Sequence, residues 1–357
     1  PFLRHEFLHA AERSGSVGGD TGWLPRHLTL TDGGSLRAAL PLYEKRHSWG
    51  EFVFDWSWAQ AYGQAGLDYY PKLVAAVPFT PAAGPRLLLA DAADGEAAAA
   101  LLAGAIDLAR REAYSSFHVL FPAAADLPHL AAAGMKLRKD CQFHWHNRDY
   151  ETFDDFLATF SSRKRKKVRQ DRRRASAAGI TFRRLRGAEL NREEWYEIYR
   201  LISRTFMRRG SLPYFEFDFF LEVSTALSAS VLVVRAELGA DVVAAAVFFE
   251  NDDTLYGRYW GSVGHYDALH FETCYYQGIE HCIETGRQRF EPGTQGEHKV
   301  SRGFVPTETW SAHWLAHPEF FSAISEYLDE EQRHVERYME AIDARTPYRA
   351  GDDGRPT

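Results

Sequence analysis

One ordered set of elements is written twice along this chain of 357 residues, and that repetition limits the fold more than any single motif does. In the first half, residues 26–31 and 36–43 alternate on either side of Asp32-Gly33-Gly34, the pattern of a hairpin. A strand at 72–79, a helix with an apolar stripe at 94–112, a strand at 116–121, a short helix at 128–133 and a strand at 141–146 follow. The second half opens with a strand at 180–185 and helices at 193–208 and 214–226. In the first of these helices Trp195, Ile198, Tyr199, Ile202 and Phe206 recur at three- and four-residue spacing. A second hairpin joins 231–237 to 242–249 through Gly239-Ala240-Asp241. Next come a strand at 254–260, a helix at 271–285 stopped by Gly286, and strands at 289–291 and 309–315. An amphipathic helix at 320–342 closes the chain as a buttress.

Two helices, a hairpin, a long strand, a helix and a strand, in that order, form the layout of the GNAT (acyl-CoA N-acyltransferase) fold. The expected class is therefore α+β: tandem GNAT-like domains with mixed, mostly antiparallel sheets flanked by helices. The expected division is an N-terminal GNAT-like domain over 1–150, a C-terminal one over 151–319 entered by a basic helix, a C-terminal helix over 320–345, and a tail over 346–357. That tail is rich in Arg, Asp and Gly and is expected to be disordered. Helical text at 2–8 follows directly on Pro1, so a longer natural chain with a preceding strand is expected.

A net charge of −7 argues against a DNA-binding protein. No apolar run approaches the roughly 18–20 residues of a membrane-spanning helix, so no transmembrane segment is expected. Three cysteines, Cys141, Cys274 and Cys282, lack metal-ligand spacing and point to a reduced, cytoplasmic protein. Cys274 and Cys282 read as small core residues rather than a redox pair. Aromatic residues, at 14%, can line a cleft as well as fill a core.

Several runs resemble the FemAB-like branch of the Fem/GNAT superfamily: Phe52-Val53-Phe54-Asp55-Trp56, Tyr69-Tyr70-Pro71-Lys72-Leu73, the loop 80–86, Cys141-Gln142-Phe143-His144-Trp145, the basic run from Ser161 to Arg169, Leu255-Tyr256-Gly257-Arg258-Tyr259-Trp260-Gly261, and Gln295-Gly296-Glu297-His298-Lys299 with its continuation Arg302-Gly303-Phe304. The resemblance runs from end to end. Fem ligases carry a Gly-rich loop ending in a Lys and followed by a Phe-Gly-like pair; Lys299 falls at that Lys. The resemblance implies N-acyl transfer, since Fem ligases move an amino acid from aminoacyl-tRNA onto the amine of a peptidoglycan precursor. The chain departs from some Fem ligases in lacking their long antiparallel helical arm.

N-acyl transfer needs an unprotonated amine, a polarised carbonyl and a destination for the proton. The loop 295–302 supplies candidates for each: Lys299 or Arg302 for an oxyanion or phosphate, Glu297 or His298 for the proton. Its plainer reading is a loop held by a Glu–Arg pair. Arg258 sits on a strand with Tyr256 and Trp260, Tyr259 facing the other way by alternation. It binds an anionic substrate group or pairs with Glu291 or Glu272, because an isolated buried charge is very costly. His270 and Glu272 open a helix, as an anion site or as a cap. Asp55 and Trp56 stand in an aromatic stretch, Asp55 as a cleft group or an internal hydrogen-bond acceptor. His144 and His146 share one strand face and read as core or cleft histidines; a metal reading would add His313.

Between Arg163 and Arg174 lie nine Lys or Arg and one Asp, a local charge of +8 that leaves about −15 for the rest. Thr152 and Asp155 form a capping box for the short helix before it, and the run itself is expected to be helical up to Gly179. Lys164, Arg165, Lys167 and Arg169 are the candidates for binding a donor or its phosphates, against a solvated helix paired with acidic surface. The Gln/Arg-x-x-Gly-x-Gly/Ala loop on which GNAT enzymes hold coenzyme A is absent; Thr80–Arg86 and Gly261–His265 come nearest. The expected donor is aminoacyl-tRNA or, failing that, acyl-CoA, with no tightly bound cofactor. The expected acceptor is an amine-bearing small molecule or cell-wall precursor. A non-catalytic module that binds cell-wall precursors or nucleotides is the competing reading.

Overall fold

A computed structural model describes residues 1–177, 179–294, 296–349, 351 and 354. In chain order the elements are α1 (His5–Arg13), β1 (Trp23–Pro25), β2 (Leu28–Asp32), β3 (Ser35–Leu40), β4 (Leu42–Lys45), α2 (Trp56–Gln64), β5 (Lys72–Ala75), β6 (Leu88–Leu89), α3 (Gly95–Arg111), β7 (Ser116–Leu120), α4 (Leu127–Ala132) and β8 (Lys136–His146). There follow α5 (Phe153–Ala158), α6 (Ser162–Ala177), β9 (Ile180–Arg186), α7 (Arg192–Met207), α8 (Phe217–Ala226), β10 (Val231–Leu238), β11 (Asp241–Glu250) and β12 (Thr254–Ser262). The last are α9 (Leu269–Phe271), a π-helical turn (Glu272–Tyr276), α10 (Gln277–Thr285), β13 (Arg289–Glu291), β14 (Val305–Leu315) and α11 (Pro318–Asp343).

These elements form two compact α+β units, the class the repeated order implies, but neither unit is a contiguous half. The first comprises Val17–Cys141 and Glu308–Tyr338; the second comprises Pro1–Ser16, Gln142–Thr307 and Met339–Thr357. A division at 150 cannot foresee this, because local periodicity says nothing about which segments share a core.

In the first unit β1 pairs with β4 and β4 with β5, both antiparallel; β5 runs parallel to β7, which is antiparallel to β14. The hairpin β2–β3, with β6, makes a separate small sheet. The run 36–43, expected as one strand, breaks at Pro41, which has no N–H for a ladder. Helix α3 begins at an N-cap, Asp94, whose carboxylate accepts from Ala97 N and is gripped by Arg37. Its apolar stripe, with Leu101, Leu102 and Ala105, covers Leu73, Ala75, Phe117 and Val119. On another side Trp58 and Tyr62 of α2 pack with Ile324 and Leu328 of α11.

In the second unit β9, β10, β11 and β12 form an antiparallel run. Strand β12 then lies parallel to β13, and β13 antiparallel to β8. The core is aromatic, with Phe143, Trp145, Phe156, Phe160, Phe248, Tyr276, Phe290 and Phe304, and Cys282 is buried in it. Helix α7 lies so close to β12 that a Cβ on Gly261 would fall 2.0 Å from the carbonyl carbon of Leu201. Gly261 thus serves helix–strand contact. The loop 80–86 is also spoken for: the Arg86 side chain, 1% exposed, turns back to donate to Leu120 O at 2.8 Å and Ala82 O at 2.7 Å.

The expected disordered tail needs correction up to Arg349. Ser161 N donates to Pro347 O at 2.9 Å and Arg349 N to Thr159 O at 3.0 Å, while the Tyr348 ring packs edge-on against Phe160. Burial of Tyr348 outweighs the polar composition around it. The remainder of that segment lies mostly outside the described residues. Among the described residues no helix is long and apolar enough to cross a membrane.

Candidate functional site

The site grows from a turn in the second unit. Gly296 (φ 114°) and Gly303 (φ 93°) bracket a 3-10 turn, Glu297–Arg302, in conformations that glycine alone adopts without strain. A Cβ on Gly303 would meet Phe156 at 2.6 Å, so the exit of the turn is seated on the aromatic core. Gln295, at the head of the sequence motif, lies outside the described residues.

Lys299 is the buried member of this turn, 2% exposed, and its Nζ donates to Gly293 O at 2.6 Å. Burial, with the Arg258 guanidinium adding to it, pushes its pKa down to about 7. Three imidazoles feel the Lys299 charge in turn. Burial first, and then neighbouring cations that include Lys299, hold His144 well below the usual histidine range, take His270 to about 4, and lower His298. Burial raises the Cys274 thiol against the pull of Lys299. Lys299, Arg258, His144, His270, His298 and Cys274 are therefore one electrostatic neighbourhood.

Arg258 reaches it through a β-bulge. Strand β12 pairs Gly257 with Phe248 and Tyr259 with Val247, so Arg258 is the extra residue. The strict alternation expected for this strand fails there. Tyr256 packs edge-to-face with Phe2 at 4.9 Å and Tyr259 with Phe220 at 5.3 Å, whereas Trp260 packs against His270 at 5.2 Å. The structure thus brings Arg258 and Trp260 to the neighbourhood of Lys299 and turns Tyr256 into an aromatic core. Of the two carboxylates weighed as partners, Glu291 acts on Arg258, while Glu272 is taken by Arg172 at 3.0 Å and Gln277 at 2.9 Å.

The expected single helix over 271–285 opens instead with the π turn, after Ala268 in a left-handed conformation (φ 60°). A π turn inserts a residue and re-aims those that follow. Here it carries Cys274 beside Lys299 and sets Tyr275 Oη 2.9 Å from Nε2 of His298. Glu297 is exposed and reaches Arg345 at 3.5 Å.

Arg302 ties the turn to the basic helix. Its guanidinium lies 3.3 Å from the Phe271 ring centroid, donates to His298 O at 2.6 Å, and meets Asp171 of α6 at 3.3 Å. Asp171 is buried and also accepts from Tyr276 Oη at 3.3 Å and pairs with Lys167 at 3.0 Å. Val168, Asp171 and Ala175 form the inward stripe of α6. Arg163, Lys166, Lys167, Arg169, Arg173 and Arg174 are exposed, and Lys164 and Arg165 half-buried. Part of this charge is neutralised within the unit: Arg169 pairs with Asp154 at 2.8 Å, and Arg172 with Glu280 at 3.1 Å as well as Glu272. The capping box of Thr152 and Asp155 is present in α5. Sequence reading missed Asp171, Cys274 and Tyr275. The signal for Asp171 was there, a lone acid among nine cations.

Asp55 and Trp56 belong to the first unit. Asp55 is buried, pairs with Lys72 and accepts from Tyr69 Oη at 2.7 Å, so it takes the internal-acceptor alternative, while Trp56 is 40% exposed. His313, also of the first unit, shares a 2.7 Å hydrogen bond with His118. Among the described residues no group of three His, Cys, Asp or Glu could hold a metal ion.

No curated protein matches the chain. Among solved structures it is similar to FemX, with 14% identity, a TM-score of 0.54, and 90% of this chain and 93% of that one covered. It is also similar to L-PGS from Bacillus licheniformis, with 15% identity, a TM-score of 0.55, and 90% and 96% covered. A third is the C-terminal domain of a putative lysylphosphatidylglycerol synthetase from Agrobacterium fabrum, with 11% identity, a TM-score of 0.54, and 89% and 95% covered. At such identities the likeness is one of fold. The sequence itself, over residues 1–350, matches the family model described as peptidoglycan biosynthesis/recognition, and the chain therefore belongs to the FemAB-like family.

Proposed function

We propose that this protein is an N-acyltransferase that moves an aminoacyl group onto the amine of a cell-wall precursor. The observation that carries this reading is Lys299: a buried amine with its pKa brought to about 7, beside the Arg258 guanidinium, on a turn fixed at both ends by glycine. An amine that titrates near neutrality suits collection of a proton from an attacking amine. Arg258 supplies a fixed positive charge against which a tetrahedral oxyanion can develop. As the tetrahedral intermediate breaks, Lys299 returns that proton to the departing oxygen of the donor, so that the bond cleaved and the amide formed balance. In this reading His298, lowered and hydrogen-bonded to Tyr275, assists the exchange. Glu297, exposed and turned to Arg345, is left outside this scheme.

The exposed cations of α6 favour a polyanionic donor, and aminoacyl-tRNA is the donor we propose. Asp171 fixes that helix to the turn bearing Lys299. Acyl-CoA is the weaker alternative, since the two loops nearest to a coenzyme A cradle are occupied by Arg86 and by the packing of α7. The test measures transfer and donor binding together. Lys299→Met should lower turnover about 100- to 10,000-fold while leaving donor affinity within about threefold. Alanine at Lys164, Arg165, Lys166 and Lys167 together should remove affinity for a charged tRNA pool. Affinity for coenzyme A with none for tRNA would replace the donor. Wild-type protein that binds precursor but turns over nothing would make it a recognition module.

A further inference from the structure

In the second unit the end of α7 and the loop beyond it carry apolar side chains out into solvent. Leu212 is 77% exposed, Met207 57%, and Val263, just after β12, 37%. Isolated exposed apolar residues are common, but these three are held out together by a braced backbone. Helix α7 stops in a Schellman motif: Gly210 takes φ 72°, its N–H donates to Met207 O at 3.0 Å, and Ser211 N donates to Phe206 O at 3.1 Å. The apolar contact that accompanies such a stop comes from Tyr214, whose ring packs edge-on against Phe206 at 5.0 Å. That staple closes behind Leu212 and leaves it at the crown of the loop. Arg208 donates to Ser262 O and Val263 O, each at 3.4 Å, and so ties the crown to the segment bearing Val263.

The charge around this crown has one sign. Arg200, Arg204, Arg208 and Arg209 are all exposed, and no acid lies between Arg200 and Tyr214. Among the described residues none of the four is in an ion pair, in contrast to Arg169 and Arg172 of α6. Arg200, Arg204, Met207 and Arg208 follow at three- and four-residue spacing and share one face of α7. Of the acids beyond the crown, Glu216 follows Tyr214 in the chain and Asp267 faces His265 at 3.9 Å. We infer that the crown is a membrane-docking tip, which sinks Leu212 and Met207 into the interface of an anionic phospholipid bilayer while the arginines meet lipid phosphates. A chain of net charge −7 is repelled by such a surface as a whole, so a local basic patch decides which face approaches. A nucleic acid would engage the arginines but leave Leu212 and Met207 in water, since neither offers a ring on which a base can stack. Arg209 is also among the cations that lower His270, so the tip borders the Lys299 neighbourhood and carries it to the bilayer surface. The inference goes beyond the proposed acyl transfer and is read by binding alone.

The test is cosedimentation of the full chain with vesicles of phosphatidylglycerol and phosphatidylcholine in equal parts, and with vesicles of phosphatidylcholine alone. Wild type should bind the mixed vesicles at least about thirtyfold more tightly than the neutral ones. Leu212→Ser should weaken that binding about tenfold, and Leu212→Phe should keep it. Arg204→Gln combined with Arg209→Gln should weaken it about thirtyfold. Thermal melts of all these variants should match wild type, because the side chains changed are exposed. Absence of binding to the mixed vesicles would overturn the tip, as would equal affinity in wild type and Leu212→Ser. Loss of vesicle binding in the arginine variant alone, together with loss of binding to a tRNA pool, would overturn it in favour of a nucleic-acid contact. Loss on alanine substitution of Lys164, Arg165, Lys166 and Lys167, with Leu212→Ser at wild-type affinity, would assign the attraction to α6 and also overturn it. Vesicle binding of the expected pattern without acyl transfer would retire the proposed reaction and keep the tip. Acyl transfer by a protein that ignores both vesicles would do the reverse.

Discussion

At the scale of single residues, the burial of Lys299 makes two separable statements about pH. A neutral lysine accepts a proton and a charged one cannot, so turnover should rise with pH through about 7. A rate that falls through the same range would assign Lys299 an electrostatic role as a cation instead. The stability sign follows from the same shift. Between about 7 and the unfolded lysine value the unfolded chain binds more protons than the folded one, so folding gains stability as pH rises. Lys299→Met should remove that slope, as read from denaturant midpoints at pH 7 and pH 9. Asp171 makes a different prediction. Asp171→Asn leaves the Arg302 charge buried without its carboxylate and should cost about 3 kcal/mol. It should also loosen the link between α6 and the turn, read as a rise in donor KM larger than the fall in kcat.

At the scale of elements, the sequence was legible wherever a period runs uninterrupted and silent where one residue breaks it. The helices at 94–112 and 193–208, the second hairpin and the basic helix fall within a residue or two of α3, α7, β10–β11 and α6. The motif around Lys299 drew attention to that residue, and the structure buries its amine. Two local insertions were not legible: the bulge at Arg258 and the π turn at Glu272–Tyr276. Each adds one residue to a regular element, and composition carries no mark of that because the cause lies in the packing on either side. Yet these irregularities re-aim Arg258, Cys274 and Tyr275. The close approach of α7 to β12 is equally invisible in sequence. Gly261→Ala would drive a methyl group into the Leu201 backbone and should cost about 3 kcal/mol, measured by chemical unfolding.

For the whole molecule, family membership and fold agree with the repeated order of elements, while the assignment of segments to cores does not follow that order. Phe2, just before α1, and Phe7, within it, pack against Phe249 and Phe219, far along the chain. The stretch 308–338 supplies β14 to the first unit. A cut at residue 150 therefore removes a piece of each core. Fragments 1–150 and 151–357, produced separately, should each fail to give a cooperative melt, whereas a cut placed between contiguous domains would leave both intact.

The interleaving also sets an order of events on the ribosome. The first unit waits for a strand and helix that emerge only after nearly all of the second has been made, and the second waits for residues beyond Met339. Folding domain by domain during synthesis is closed to such a chain. Both cores must stay incomplete until the residues from Glu308 onward have been made, so this polypeptide should depend on chaperones that hold nascent chains more than its size alone implies.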